Sequence, residues 1–148
     1  MSKAILVIED EVVLAKNIHL TLAFLGEVED VRVTELRRLP IWGERHRLPI
    51  ECASYWARNS ILWVGPEQVP APLALLVARL NDLLAARGFR TEQRRFAAHV
   101  TLLRKARAPE AMPPLPEVDW PVEECVLARS APQAQGPRYE ILQRYPLA

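Results

Sequence analysis

The sequence predicts an α+β fold, a sheet with helices packed on it. Two segments alternate apolar and polar residues with the period of a strand, one long segment repeats its apolar residues with the period of a helix, and short apolar runs bounded by Pro, Gly or Asn supply further strands. Strands interspersed with helices, at a length of 148 residues, are expected to make a single domain spanning 1–148 around one sizeable core.

In chain order, the apolar run from Ala4 to Ile8 can form a first strand. From Ile18 to Leu25 the residues Ile18, Leu20, Leu22 and Phe24 share one parity while His19, Thr21 and Ala23 share the other, so a strand there displays His19 and Thr21 together. A helix is expected from about Val31 to Leu39, and strands from Ile50 to Tyr55 and from Ile61 to Val64. Pro72 to Arg87 is the clearest helix: Leu73, Leu76, Val77, Leu80 and Leu84 form an apolar stripe, with Pro near its start and Gly88 at its stop. Residues 98–104 repeat the earlier arrangement, with Val100 and Leu102 alternating with His99 and Thr101. The proline-rich stretch Ala108 to Pro116 reads as a stiff surface connection, and strands are expected again at Val122 to Ala128 and Tyr139 to Leu142.

Composition narrows the function. A net charge of +1 argues against a protein that coats long nucleic acid, which normally needs a surplus of Lys and Arg, but is compatible with binding one end. The two cysteines, Cys52 and Cys125, are far apart and form no CxxC pair, so they read as core thiols of a reducing compartment. The run from Ala4 to Ile8 meets Glu9, Asp10 and Glu11 too soon for a signal h-region or a membrane span, which places the expected location in the cytoplasm.

Two histidines, each followed two residues later by a threonine on the same strand face, suit phosphoester chemistry. In-line cleavage needs one group to help the nucleophile lose its proton and another, on the opposite side, to protonate the departing oxygen. With an unperturbed pKa near ~6.5, one imidazole can be neutral while another is protonated, and neither a metal nor another cofactor is required. The catalytic candidates are therefore His19 and His99, with Thr21 and Thr101 as hydroxyl donors to non-bridging phosphate oxygens. Arg104 and Phe24 each lie five residues after a histidine; the first could add a charge-assisted bond to phosphate, the second could stack on a base. Both have the wrong parity for the histidine face, so they reach it only if the strand twists, bulges or ends before them; Phe24 has core packing as its alternative.

The segments His19-Leu20-Thr21-Leu22-Ala23-Phe24-Leu25-Gly26 and His99-Val100-Thr101-Leu102-Leu103-Arg104 resemble the two signature motifs of the two-histidine phosphoesterase superfamily. Within it the likeness is to bacterial RNA 2′,3′-cyclic phosphodiesterases, historically called 2′-5′ RNA ligases, and it extends to residues 55–63, to Gly88-Phe89-Arg90 and to residues 138–142. The resemblance implies a bilobal fold of antiparallel sheets with helices packed outside and a central cleft. It also implies hydrolysis of a cyclic ester to a 2′-phosphate, with His19 as acid for the leaving 3′ oxygen and His99 assisting water. Relatives ordinarily carry a strand and a long helix before the first motif; only 16 residues precede Asn17 here, so that unit is expected to be abbreviated, with no helix before His19.

Alternatives stay open beside this reading. A lone His-x-Thr is at home as a half-buried strand histidine, and it is the repetition that favours a site. The same cradle could join RNA halves through a 5′-hydroxyl, or bind RNA ends or nucleotides without turnover. His46 reads as a solvated loop residue; Arg90, Arg94 and Arg95 either guide RNA or form a solvated flank. Trp42, Trp56, Trp63 and Trp120 favour core packing over base stacking, and Tyr139 is a binding candidate with a packed strand residue as its alternative. The expected partners are RNA ends or small cyclic nucleotides, with no membrane and no obligate protein partner, the chain acting as a monomer.

Overall fold

The computed structural model describes residues 2–9, 18–112, 114–131, 134 and 138–148. Its elements run β1 (Ser2–Glu9), β2 (His19–Val28), α1 (Asp30–Arg37), β3 (His46–Ile50), β4 (Cys52–Trp56), β5 (Ile61–Gly65), α2 (Ala71–Ala86), β6 (Val100–Leu103), β7 (Val118–Val122), β8 (Glu124–Ala131) and β9 (Arg138–Pro146). Seven strands form one sheet in the order β4-β5-β6-β2-β1-β8-β9, and β3 pairs with β7 in a separate ribbon. The described pairings are antiparallel. The expectation of no helix before His19 concerns residues 10–17, outside the described residues.

The apolar stripe of α2 decides which face of the sheet is covered. Leu73, Leu76, Val77, Leu80 and Leu84 are all buried, each contributing roughly 1.5–3 kcal/mol. They share one core with Leu6, Ile8, Leu20, Leu22, Val64, Val100 and Leu127 of the sheet and with Leu48, Ile50, Trp120 and Val122 of the ribbon. The helix ends where Gly88 takes φ +75°: its N–H bonds Ala85 O at 3.0 Å and the N–H of Phe89 bonds Leu84 O at 3.0 Å, a Schellman closure that satisfies carbonyls the helix leaves open. Helix α1 adds Val33 and Leu36 to the same core, and the Tyr145 hydroxyl of β9 donates to Leu36 O at 2.6 Å. Arg32 of α1 lies 3.7 Å over the Phe89 ring and donates to Arg87 O, joining α1 to the α2 C-terminus, where a cation also complements the helix dipole.

Two predicted strands each divide in two. The segment expected from Ile50 to Tyr55 is the end of β3 and most of β4, with Glu51 between them donating its N–H to Gly65 O at 3.0 Å. The segment expected from Val122 to Ala128 is likewise the end of β7 and most of β8. Pro49 and Pro121 hide the ribbon from a strand-propensity reading, yet a two-stranded ribbon leaves every strand an open edge where the missing N–H costs nothing. Among the described residues, no helix is long and apolar enough to cross a membrane.

Candidate active site

The opposite face of the sheet carries a second, smaller apolar cluster: Ile5, Val7, Val126 and Ala128, with Tyr139 and Ile141 packed on it. Thr21 pairs directly with Val7, so Thr21 and, two residues earlier, His19 emerge on this second face while Leu20 points into the main core. The sheet thus has a helix-covered side and a side that bears the histidines.

Strands β2 and β6 are neighbours, and their register is fixed by the ladder pair Leu20↔Val100, both residues buried in the main core. One step to either side of this antiparallel pair sets His19 opposite Thr101 and Thr21 opposite His99, which immediately precedes β6. The two His-x-Thr motifs therefore lie side by side, each histidine facing the other motif's threonine, on one face. They also sit where the two halves of the sheet, β4-β5-β6 and β2-β1-β8-β9, meet.

Parity alone would turn Phe24 and Arg104 away, but each strand breaks step just after its threonine. In β2 the pairing passes from Val7↔Thr21 to Leu6↔Ala23, leaving Leu22 as the extra residue, and Leu22 and Ala23 both bury into the main core. Phe24 then pairs with Ile5 and returns to the histidine face, 70% exposed. In β6 the pairing passes from Trp63↔Thr101 to Leu62↔Leu103, leaving Leu102 as the extra residue, so that Arg104, exposed just past the strand end, falls in step with Thr101. The core alternative for Phe24 is thereby overturned: a residue so exposed has no packing role.

Aromatic rings wall both histidines. Tyr139 meets the His19 ring edge-to-face at 4.8 Å between centroids, and Trp56 meets His99 in the same manner at 4.6 Å. Trp63, the cross-strand partner of Thr101, lies 6.3 Å from the His99 ring and 5.0 Å from Trp56. These two half-buried tryptophans were expected to favour the core; only Trp120 is fully in it, while Trp42 is half exposed beneath Arg79, whose guanidinium lies 4.0 Å from the ring. No sequence signal identified Trp56 and Trp63 as walls, because that placement depends on the β4–β5 and β5–β6 registers.

His99 Nδ1 lies 2.9 Å from Ala97 O. A carbonyl only accepts, so Nδ1 carries the hydrogen and Nε2 is left to exchange a proton with a ligand. Gly65 makes this turn of chain possible: a Cβ there would stand 2.6 Å from Ala98 O, the carbonyl just before His99.

His46 is not the solvated loop residue expected. It is half-buried at the start of β3, with Nδ1 2.8 Å from Glu44 O and Nε2 buried without a partner, because the ribbon packs on the core instead of projecting into solvent. Arg90, Arg94 and Arg95 are exposed, and Arg94 is engaged by Glu92 at 3.7 Å. Among the described residues no three His, Cys, Asp or Glu side chains gather in a metal-binding group.

Comparison with known proteins agrees with this architecture. Residues 64–139 match the family described as LigT like Phosphoesterase. The chain is 36% identical to the RNA 2′,3′-cyclic phosphodiesterase of Escherichia coli (strain K12), over 91% of this chain and 78% of that protein. It is 30% identical to the enzyme of the same name from Thermus thermophilus, over 88% of this chain and 72% of that protein. The crystal structure of E. coli LigT complexed with 3′-AMP superposes with a TM-score of 0.86 at 29% sequence identity, covering 99% of this chain and 98% of that one. By profile, by relatives and by fold, this chain belongs to the LigT-like phosphoesterases of the two-histidine superfamily.

Proposed function

We propose that this protein hydrolyses RNA 2′,3′-cyclic phosphate ends to 2′-phosphates without a metal, using His19 and His99 as its catalytic pair. The observation that carries the reading is the Leu20↔Val100 ladder pair, which aligns the two motifs on one open sheet face. A phosphate seated between them has an imidazole on either side, the disposition that in-line displacement requires.

The proton inventory supports His99 as base. Water attacks phosphorus as its proton passes to His99 Nε2; the Nδ1–H held by Ala97 O stabilises the imidazolium that forms. His19, oriented by the Tyr139 ring, delivers a proton to the 3′ oxygen as the P–O3′ bond breaks, leaving the phosphate on the 2′ oxygen. Thr21 and Thr101 donate to the non-bridging oxygens, Arg104 adds a charge-assisted contact, and Phe24 offers an exposed ring for a base to stack on. The names of the E. coli and T. thermophilus relatives favour this substrate. RNA ends or small cyclic nucleotides in the cytoplasm are the proposed partners.

The test is to incubate the protein with a nucleoside 2′,3′-cyclic phosphate and a short RNA with the same end, chelator present, and to identify the phosphate isomer formed. A 2′-phosphate, lost by about 10²- to 10⁴-fold in His19→Ala and in His99→Ala, is expected. Unchanged turnover in either variant would remove the proposal.

A further inference from the structure

Beside Arg104 the chain holds a basic platform that hydrolysis of a mononucleotide does not use. The hairpin turn between β4 and β5, residues 57–60, carries Arg58; the segment leaving β6 carries Arg104, Lys105 and Arg107. The two loops are fastened to one another: the Ala106 N–H donates to Ser60 O at 3.0 Å and the Tyr55 hydroxyl donates to Ala106 O at 2.8 Å. Ser60 and Lys105, the non-glycine residues of positive φ among the described residues, lie one in each loop, at +55° and +54°. Left-handed backbone at such residues costs energy and persists where the surroundings hold it, which makes this pair of loops a built feature.

The charge on the platform is uncompensated. Residues 57–60 and 104–109 contain no Asp or Glu, in a chain whose net charge is only +1. Arg58, Arg104, Lys105 and Arg107 are all exposed, and among the described residues none of them is in an ion pair. Arg129 and Arg144, by contrast, are engaged by Glu140 and Glu124. The platform begins where the site ends: Trp56, against His99, leads into the hairpin turn, and Thr101 leads into Arg104.

We infer that Arg58, Lys105 and Arg107 form a track for the phosphodiester backbone upstream of the terminal nucleotide, so that the preferred substrate is an oligonucleotide end and not a mononucleotide. A 2′,3′-cyclic phosphate terminates a strand, and the rest of that strand leaves the site through the 5′ oxygen of the terminal ribose; an exposed row of cations fastened to the site's edge matches its charge. The inference rests on the cyclic-phosphate reading for what occupies the site, and on the two loops for where the strand runs.

The experiment compares a nucleoside 2′,3′-cyclic phosphate with a short oligoribonucleotide bearing the same end, across a salt series, in the unaltered protein and in Arg58→Gln/Lys105→Asn/Arg107→Gln. Asparagine tolerates the left-handed backbone at 105. Anisotropy of a labelled oligoribonucleotide ending in a 2′-phosphate is measured beside the kinetics. In the unaltered protein kcat/KM is higher for the oligonucleotide and falls with salt; in the triple variant mononucleotide turnover is unchanged, and the logarithmic salt slope for the oligonucleotide is shallower by roughly 2, about 0.7 per lost phosphate contact. Arg58→Lys/Arg107→Lys retains the preference. Equal kcat/KM for both substrates in the unaltered protein, or a salt slope unmoved in the triple variant, would overturn the track. Failure of both substrates to turn over would overturn the proposed reaction, and the anisotropy slope would then decide the track by itself.

Discussion

Gly65 and Trp56 act on His99 in different ways, one through the backbone before it and one through its ring, and each gives a separate prediction. A methyl group on Gly65 meets a backbone carbonyl at 2.6 Å, which cannot yield as a flexible side-chain tip would, so the strand carrying His99 must shift. Gly65→Ala is expected to lower kcat and to cost about 1–3 kcal/mol of stability, read by denaturant titration. Trp56 meets the imidazole in an edge-to-face arrangement, an interaction worth about 0.5–1.5 kcal/mol. Trp56→Ala should lower kcat about two- to tenfold, with Trp56→Phe recovering most of the loss; an equal loss in both would mean that the indole acts otherwise. The sequence drew no reading of Gly65 and read Trp56 as favouring the core, whereas the histidines and threonines stood out as a site. A repeated His-x-Thr in strand context is a local pattern, but a glycine's close approach and a tryptophan's wall position depend on which strand lies alongside. Counting parity along the sequence turned Phe24 and Arg104 away from their histidines, since the extra residues Leu22 and Leu102 become visible only when the strands are paired.

At the scale of elements, legibility followed the strength of the local signal. Helix α2 was readable from end to end because its five buried residues keep helical spacing and a glycine closes it. Leu80→Ala, at the middle of that stripe, is expected to destabilise by about 2–5 kcal/mol by denaturant titration, with activity retained below the transition. The β3–β7 ribbon was not readable, as Pro49 and Pro121 mimic breaks and its partner strands are far apart in sequence. Strands β2 and β6 carry equivalent bulges after equivalent threonines, which makes the bulge part of the site's construction. Inserting one alanine between Leu103 and Arg104 should turn Arg104 to the other face, reducing phosphate affinity more than it reduces stability, whereas deleting the extra residue Leu102 leaves Arg104 in step with Thr101 and should keep that affinity; unchanged phosphate inhibition in the insertion variant would contradict that role.

Across the whole molecule, helices and ribbon cover one side of the sheet and leave open the other, which bears the two histidines, so most of the core lies apart from the proposed chemistry. The covered side holds two groups whose protonation is linked to folding. Burial, then the Glu124 carboxylate, pushes the Cys125 thiol up to about 12, and burial likewise raises the Tyr145 hydroxyl, which donates to Leu36 O. Both bind their protons more tightly folded than unfolded, so the native state retains protons that the unfolded state releases, and stability falls as pH rises above about 9. Alkaline denaturation of Tyr145→Phe should begin from a lower stability but decline less steeply with pH. The open side carries the central claim, that two histidines share the proton transfers, and the pH profile of kcat/KM tests it most directly. The unaltered protein should give a bell; His99→Ala should lose the rising acid limb, because the base that must be deprotonated is gone, and His19→Ala should lose the falling alkaline limb. A full bell persisting in either variant would contradict the assignment.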